Sequence, residues 1–101
     1  MLHMSRYVKG RRFEYRVRDL FRSKGYVVIR AAQSKPIDLI CLRRGTILLV
    51  ECKSERSTLS RSRKSELLGL SKASGATLVL AQRKKRRVEL VDVETGKCFV
   101  L

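Results

Sequence analysis

The sequence predicts an α/β fold in which a central mixed β-sheet is flanked by helices. Three observations indicate it: an amphipathic helical pattern near the start, several apolar and β-branched strand segments, and a second helical segment between strands. The 101 residues, 44% of them hydrophobic, suffice for one packed domain over residues 1–101. Residues 1–4 are expected to be an irregular start.

The first helix is predicted from about Ser5 to Lys24. Phe13, Val17 and Phe21 recur at helical spacing, so their side chains share one face that can be buried. Gly25 follows where a helix of this length is expected to end, because glycine adopts the left-handed conformation of a C-cap readily.

Three strands are predicted next, over Tyr26–Ala32, Ile37–Leu42 and Thr46–Lys53. The last two are joined by residues 43–45, and Gly45 supplies the positive φ that a tight hairpin turn requires. Both strands are apolar at successive positions instead of alternating. The hairpin is therefore expected to be central and covered on both faces.

The second half of the chain is predicted to contain one more helix and further strands. The predicted order is a polar, flexible stretch over 54–65, a helix over Ser65–Ser74 ending at Gly75, a strand over Ala76–Gln82, a basic connection over Arg83–Arg87, and a closing hairpin of Val88–Val93 and Lys97–Leu101.

The charge predicts a polyanionic partner. Lys and Arg total 24 against 9 Asp and Glu, a formal net charge of +15. A compact domain with this charge repels itself, whereas neutralising phosphates releases condensed counterions and favours binding to nucleic acid. A solubilising surface or an anionic membrane is the alternative, but no basic helix with a strong apolar face and lipid-seeking aromatics is evident.

The cellular setting is expected to be the cytoplasm. No apolar run is long enough to span a bilayer, and no stretch has the layout of a signal peptide. Cys41, Cys52 and Cys98 lack zinc-site spacing and are interpreted as buried apolar residues in a reducing compartment. The absence of Asn and the presence of only two Gln favour a thermophilic source.

The predicted hairpin places two of the scarce carboxylates opposite each other. With the turn centred between Arg44 and Gly45, Asp38 lies directly across from Glu51, and Lys53 points to the same face as Glu51. Like charges facing each other are destabilising unless a cation lies between them, and carboxylate oxygens suit Mg²⁺. The alternative is that each carboxylate pairs with surface Arg at a fraying strand end.

Glu14 lies beside Phe13 and Val17, at the border of the buried face of the first helix. Helix periodicity alone favours a surface pair with Arg18, four residues later.

Basic residues concentrate in three places: before and within the first helix, in the predicted flexible stretch, and in the basic connection near the end. A Ser/Arg-rich loop directly after Lys53 is suited to follow a DNA backbone and to order on contact. The residues expected to contact DNA in the first two groups are Arg6, Lys9, Arg11, Arg12, Arg56, Arg61, Arg63 and Lys64.

Taken together, several short motifs resemble a known family. Pro36-Ile37-Asp38 and Glu51-Cys52-Lys53 match the PD-(D/E)xK pattern of a nuclease superfamily. The wider set resembles the archaeal Holliday junction resolvases: Tyr7-Val8-Lys9-Gly10, Glu14, Gly25-Tyr26-Val27-Val28, Arg30, Ser34, Asp38 and Glu51-Cys52-Lys53. Tyr15 stands where an Arg is common in that family.

This resemblance implies a restriction-endonuclease-like core and a metal-dependent endonuclease. In the family, the residues matching Glu14, Asp38 and Glu51 bind Mg²⁺, and the one matching Lys53 acts beside them. Arg30 and Ser34 are then expected near the scissile phosphate. The backbone carbonyl of Cys52 is a natural extra ligand, because it lies between two site residues.

The expected function is the resolution of four-way junctions in branched DNA by paired symmetric nicks, made by a homodimer. The expected cofactor is one or two Mg²⁺ per site, with Mn²⁺ able to substitute, and no organic cofactor or membrane is involved. The alternatives are a nuclease of the same fold that acts on other branched, nicked or duplex DNA, and a non-catalytic basic DNA-binding module.

Overall fold

The described part of the chain forms a mixed sheet with two helices. The computed structural model describes residues 6–31 and 36–101, with side chains of the first helix from Gly10 onward. The elements are α1 (Arg6–Ser23), β1 (Val27–Arg30), β2 (Leu39–Arg43), β3 (Thr46–Lys53), α2 (Arg61–Ser74), β4 (Thr77–Lys84) and β5 (Arg87–Asp92). The strands lie side by side in chain order, and every neighbouring pair is antiparallel except β3 and β4. The predicted fold class is confirmed.

The first helix and its end agree with the prediction. Val17 and Phe21 are fully buried on the face that meets the sheet. Gly25 has a φ of 86° and ends the helix, as expected. β1 is shorter than predicted, because it ends at Arg30; Ala32 and the predicted irregular start at 1–4 lie outside the described residues.

The central hairpin has the predicted register. Arg43 pairs with Thr46, so the turn consists of Arg44 and Gly45, and Gly45 has a φ of 72°. This two-residue turn fixes the pairing along both strands as far as Leu39 opposite Val50.

The sheet is covered on both faces, as its apolar strands predicted. The residues buried on the face covered by α1 are Phe13, Val17, Phe21, Tyr26, Val28, Leu39, Cys41, Leu48, Val50, Val79, Ala81 and Leu90. Those buried on the face covered by α2 are Ile37, Leu49, Leu67 and Leu78. Within the described ranges, neither helix combines the length and apolar character needed to cross a membrane.

The second helix begins at Arg61, four residues before the predicted start. The Ser60 side chain accepts a hydrogen bond from the Arg63 backbone N–H at 3.1 Å, which satisfies one of the free donors of the first turn. Only Leu67 and Ser71 are buried along this helix, so it has little apolar periodicity. Its first turn therefore resembled a polar loop in the sequence.

The segment before α2 is tied to the end of β4. The Gln82 side chain donates to the Ser57 carbonyl at 2.7 Å, and the Glu55 carboxylate accepts from the Lys85 N–H at 2.9 Å. The prediction of one flexible stretch over 54–65 is wrong in its second half, where α2 forms.

The predicted basic connection is mostly strand. β4 runs through Lys84 and β5 begins at Arg87, which leaves a two-residue turn. The strand predicted over Lys97–Leu101 is also wrong: it is reduced to an isolated bridge between Val91 and Cys98.

The chain turns after β5, where the Asp92 side chain accepts hydrogen bonds from the Glu94 and Thr95 N–H groups at 3.0 and 3.3 Å. Two backbone hydrogen bonds of 2.8 Å, from Asp92 to Lys97 and from Phe99 to Leu90, then flank the bridge. Cys98 is exposed, contrary to its interpretation as a buried residue. Cys41 is buried, and burial raises the pKa of its thiol to about 12, so it stays protonated as an apolar core residue.

Candidate active site

The end of the central hairpin brings Asp38 and Glu51 together. The observed register, continued one position past the Leu39–Val50 pair, places Asp38 opposite Glu51, as predicted. Both residues are buried, with 8% and 4% of their surfaces exposed. By strand alternation Glu51 and Lys53 lie on the same face as Leu49, which is the face covered by α2.

Asp38 is held by backbone groups of both neighbouring strands. Its Oδ2 accepts a hydrogen bond from the Cys52 N–H at 2.8 Å, and its carbonyl accepts from the Ala31 N–H at 3.1 Å. The carboxylate is therefore fixed beside the N–H of Cys52, the residue whose carbonyl was predicted as an extra ligand.

The two oxygens of the buried Glu51 carboxylate differ in their hydrogen bonding. Its Oε2 accepts from Nε and Nη2 of Arg63 at 3.2 and 3.1 Å. Its Oε1 is buried and has no hydrogen-bond donor within the described part of the chain. Burial and the nearby Asp38 together raise the pKa of Glu51 to about 7, although Arg63 acts in the opposite direction.

Pairing of Glu51 with an Arg was the alternative drawn from the sequence, but Arg63 was not predicted as the partner. Arg63 was expected to contact DNA from a flexible loop, but the early start of α2 places it against the Glu51 carboxylate. The sequence signal for this was Ser60, a preferred N-cap residue three positions before Arg63.

Glu14 lies on α1 and contacts the sheet through Arg30. It is buried, and its Oε1 accepts from Nε of Arg30 at 2.9 Å instead of pairing with Arg18, which contacts Asp19. Arg30 lies two residues after Val28, whose side chain belongs to the core under α1. Glu14 and Arg30 therefore meet as an ion pair on the face covered by α1.

Two guanidinium groups lie close to the Tyr15 ring. The central carbons of Arg18 and Arg30 are each 4.5 Å from its centroid, within the range of cation–π attraction. At a position where an Arg was expected, Tyr15 thus helps to hold Arg30, a contact that sequence reasoning missed.

The other predicted site residues are placed as follows. Lys53 is half-buried at the end of β3. Arg12, Arg56, Arg61 and Lys64 are exposed, and Arg11 is half-buried. Ser34 and the side chains of Arg6 and Lys9 lie outside the described residues.

Asp38 and Glu51 have features that a divalent cation would satisfy. Two buried carboxylates face each other, and one buried oxygen lacks a donor. Hard carboxylate and carbonyl oxygens are the ligands that Mg²⁺ prefers. Among residues 6–31 and 36–101, no third His, Cys, Asp or Glu completes a metal-binding group with this pair. Asp38 and Glu51 therefore fit a divalent metal as a pair, and the Cys52 carbonyl follows Glu51 directly in the chain.

Comparison with known proteins now identifies the family. The model of the archaeal Holliday junction resolvase (Hjc) family matches residues 5–97. The chain belongs to this family. Its resemblance to Hjc proteins, predicted from short motifs, is confirmed over almost the whole sequence.

Two Hjc proteins illustrate the similarity. The crossover junction endodeoxyribonuclease Hjc of Methanocaldococcus jannaschii is 43% identical over 53 residues, which cover 52% of this chain and 40% of that protein. The match thus spans less than half of the curated relative. The 1.6 Å structure of Archaeoglobus fulgidus Hjc, a Holliday junction resolvase from an archaeal hyperthermophile, has a TM-score of 0.76 at 24% identity over 85% of this chain and 74% of that one. This likeness shows the fold.

Proposed function

We propose that this Hjc-family protein is a Mg²⁺-dependent endonuclease that resolves four-way DNA junctions. The observation that carries the proposal is the buried Asp38–Glu51 pair, in which Glu51 Oε1 has no donor within the described residues. A protein that only bound DNA would gain nothing from burying two carboxylates beside a phosphate backbone, because they repel phosphates. The net charge of +15 supplies the attraction that brings DNA to the site.

The proposed Mg²⁺ ligands are Asp38, Glu51 and the Cys52 carbonyl, with Glu14 as a further ligand once it leaves Arg30. Bound Mg²⁺, one or two per site, or Mn²⁺ in its place, supplies an acidified water and offsets phosphoryl charge. Asp38 is already oriented by the Cys52 N–H. Glu51 is oriented by its contact with Arg63.

The remaining site residues handle the phosphate. Lys53, on the same face as Glu51, is proposed to stabilise charge on the scissile phosphate as a compact cation. Arg30 is proposed to hold a neighbouring phosphate, and Ser34 to contact the scissile one. Exposed Arg12, Arg56, Arg61 and Lys64, together with Arg6, Lys9 and Arg11, are proposed to follow the backbone.

A homodimer is proposed as the active form, because a four-way junction has approximate two-fold symmetry and paired symmetric nicks need two sites. A plasmid with an extruded cruciform tests this point together with the cleavage chemistry. We expect Mg²⁺ to give a linear product from paired nicks, and EDTA to give no cleavage. Accumulation of a singly nicked circle, with no linear product, would contradict paired cutting.

Substrate choice is tested by comparing a four-way junction with a linear duplex that has the same arm sequence. We expect only the junction to be cut. Equal cutting of the linear duplex would instead favour a same-fold nuclease of broader substrate range. Tight binding without cutting in either Mg²⁺ or Mn²⁺ would establish a non-catalytic DNA-binding module.

Replacing Tyr15 with Leu is expected to weaken junction binding by roughly 2–5-fold, because an exposed cation–π contact contributes about 0.5–1 kcal/mol. The change removes the ring that lies 4.5 Å from the Arg30 guanidinium and leaves the Arg30–Glu14 ion pair in place. Fluorescence anisotropy with a labelled junction, in the absence of divalent ions, measures this effect. Tyr15→Phe keeps the ring and should bind like wild type; equal losses in both variants would show that the stacking is irrelevant.

A further inference from the structure

Arg63 connects the Glu51 carboxylate to the chain segment that leads into Asp38. It lies in the first turn of α2 with 28% of its side chain exposed, and it contacts Glu51, Glu66 and the Pro36 carbonyl. We propose that Arg63 is a positioning residue that fixes Asp38 and Glu51 relative to each other for metal binding. This inference rests on the proposed function, because it assumes that the pair binds a divalent ion.

The first contact fixes the orientation of Glu51. Nη2 and Nε of Arg63 both donate to Oε2 of Glu51, at 3.1 and 3.2 Å. A planar guanidinium restricts rotation of a carboxylate more strongly than a single ammonium group does. Glu51 is thus held with one oxygen engaged and the other buried without a donor in the described chain.

The second contact fixes the chain that carries Asp38. Nη2 of Arg63 donates to the Pro36 carbonyl at 2.6 Å, two residues before Asp38. Residues 36–38 lie outside the regular part of β2, so ladder hydrogen bonds do not hold all of this segment. One guanidinium therefore joins β3, α2 and the entry to β2.

The position of Arg63 is itself determined by α2. Its backbone N–H donates to the Ser60 hydroxyl, and its Nη1 lies 3.4 Å from the Glu66 carboxylate one turn further on. Lys64, the next residue, has the same charge but is exposed. It provides a matched control for loss of one positive charge at this end of the helix.

Positioning and simple electrostatics predict opposite effects on metal affinity. Removing a cation beside the site would strengthen metal binding if charge alone mattered. Removing a group that orients the ligands weakens it, typically by roughly 10–100-fold. A role as a DNA contact, in contrast, would change junction affinity and its salt dependence without affecting metal binding in the absence of DNA.

The test measures Mn²⁺ binding to the DNA-free full chain from the free-Mn²⁺ electron paramagnetic resonance signal. Wild type, Arg63→Gln, Arg63→Lys, Lys64→Gln and Glu51→Gln are compared at a pH well above the Glu51 pKa of about 7, so that protons do not compete for the site. We expect Arg63→Gln to weaken binding roughly 10–100-fold and Arg63→Lys to restore it only in part. Lys64→Gln should bind like wild type.

Unchanged or tighter Mn²⁺ binding by Arg63→Gln would overturn the proposal. Full restoration by Arg63→Lys would also overturn it, because a single ammonium group would then replace the planar guanidinium that is proposed to join Glu51 to the Pro36 carbonyl. Thermal unfolding without metal shows whether each variant is folded. If Arg63→Gln is unfolded, the more conservative Arg63→Lys still allows a comparison with wild type. Failure of wild type to bind Mn²⁺, or equal binding by Glu51→Gln, would instead refute the metal site itself.

Discussion

Replacing Glu51 with Gln is expected to reduce junction cleavage by about 10²–10³-fold or more, the typical loss when one group that stabilises transition-state charge is removed. Gln keeps the size of the side chain but cannot supply an anionic metal ligand. The protein should still bind the junction, because its net charge of +15 becomes one unit more positive. Single-turnover cleavage in saturating Mg²⁺, with affinity measured separately in EDTA, distinguishes the two effects.

Glu89→Gln is the matched control, because Glu89 is an exposed glutamate in β5. It removes the same charge at a different place and should cleave like wild type. If Glu51→Gln retained full activity, the assignment of the active site to this end of the hairpin would be wrong. If it also lost junction binding, the defect would lie in the fold and not in the chemistry.

Sequence alone was sufficient for the geometry of the Asp38–Glu51 pair, because a two-residue turn with glycine determines the register of the whole hairpin. Gly45 fixed the position of the turn, and the residue opposite each hairpin position then followed from its distance to the turn. The glycine that ends α1 was predictable for a similar local reason.

The partner of Glu51 was not predictable in this way, because it depends on where α2 begins. That start is set by the Ser60 cap and not by an apolar stripe, and the first turn of the helix is polar and mostly exposed. The orientation of Glu14 was likewise open, since helix periodicity gave only its position at the edge of the buried face. Its contact with Arg30 depends on how α1 packs against β1.

The stability of the metal-free protein is expected to depend on pH through Glu51. Its pKa is about 7 in the folded protein, against an ordinary value of 4.5, because burial and Asp38 disfavour the charged form. The folded state therefore holds a proton that the unfolded state releases. The stability associated with this proton is fully present below pH 4.5 and is lost as the pH rises to about 7, a difference of about 3 kcal/mol.

Urea unfolding in EDTA across this pH range measures the effect, as the difference between wild type and Glu51→Gln. Gln cannot ionise, so the free energy of unfolding of Glu51→Gln should rise relative to that of wild type as the pH rises. The free energy of unfolding of Glu89→Gln should change with pH as that of wild type does. Parallel curves for wild type and Glu51→Gln would show that Glu51 titrates normally. Mg²⁺ should stabilise wild type mainly at the alkaline end of this range. There Glu51 is charged, and an ion that binds only the folded protein raises its free energy of unfolding. The same buried charge would then destabilise the empty site and hold the metal.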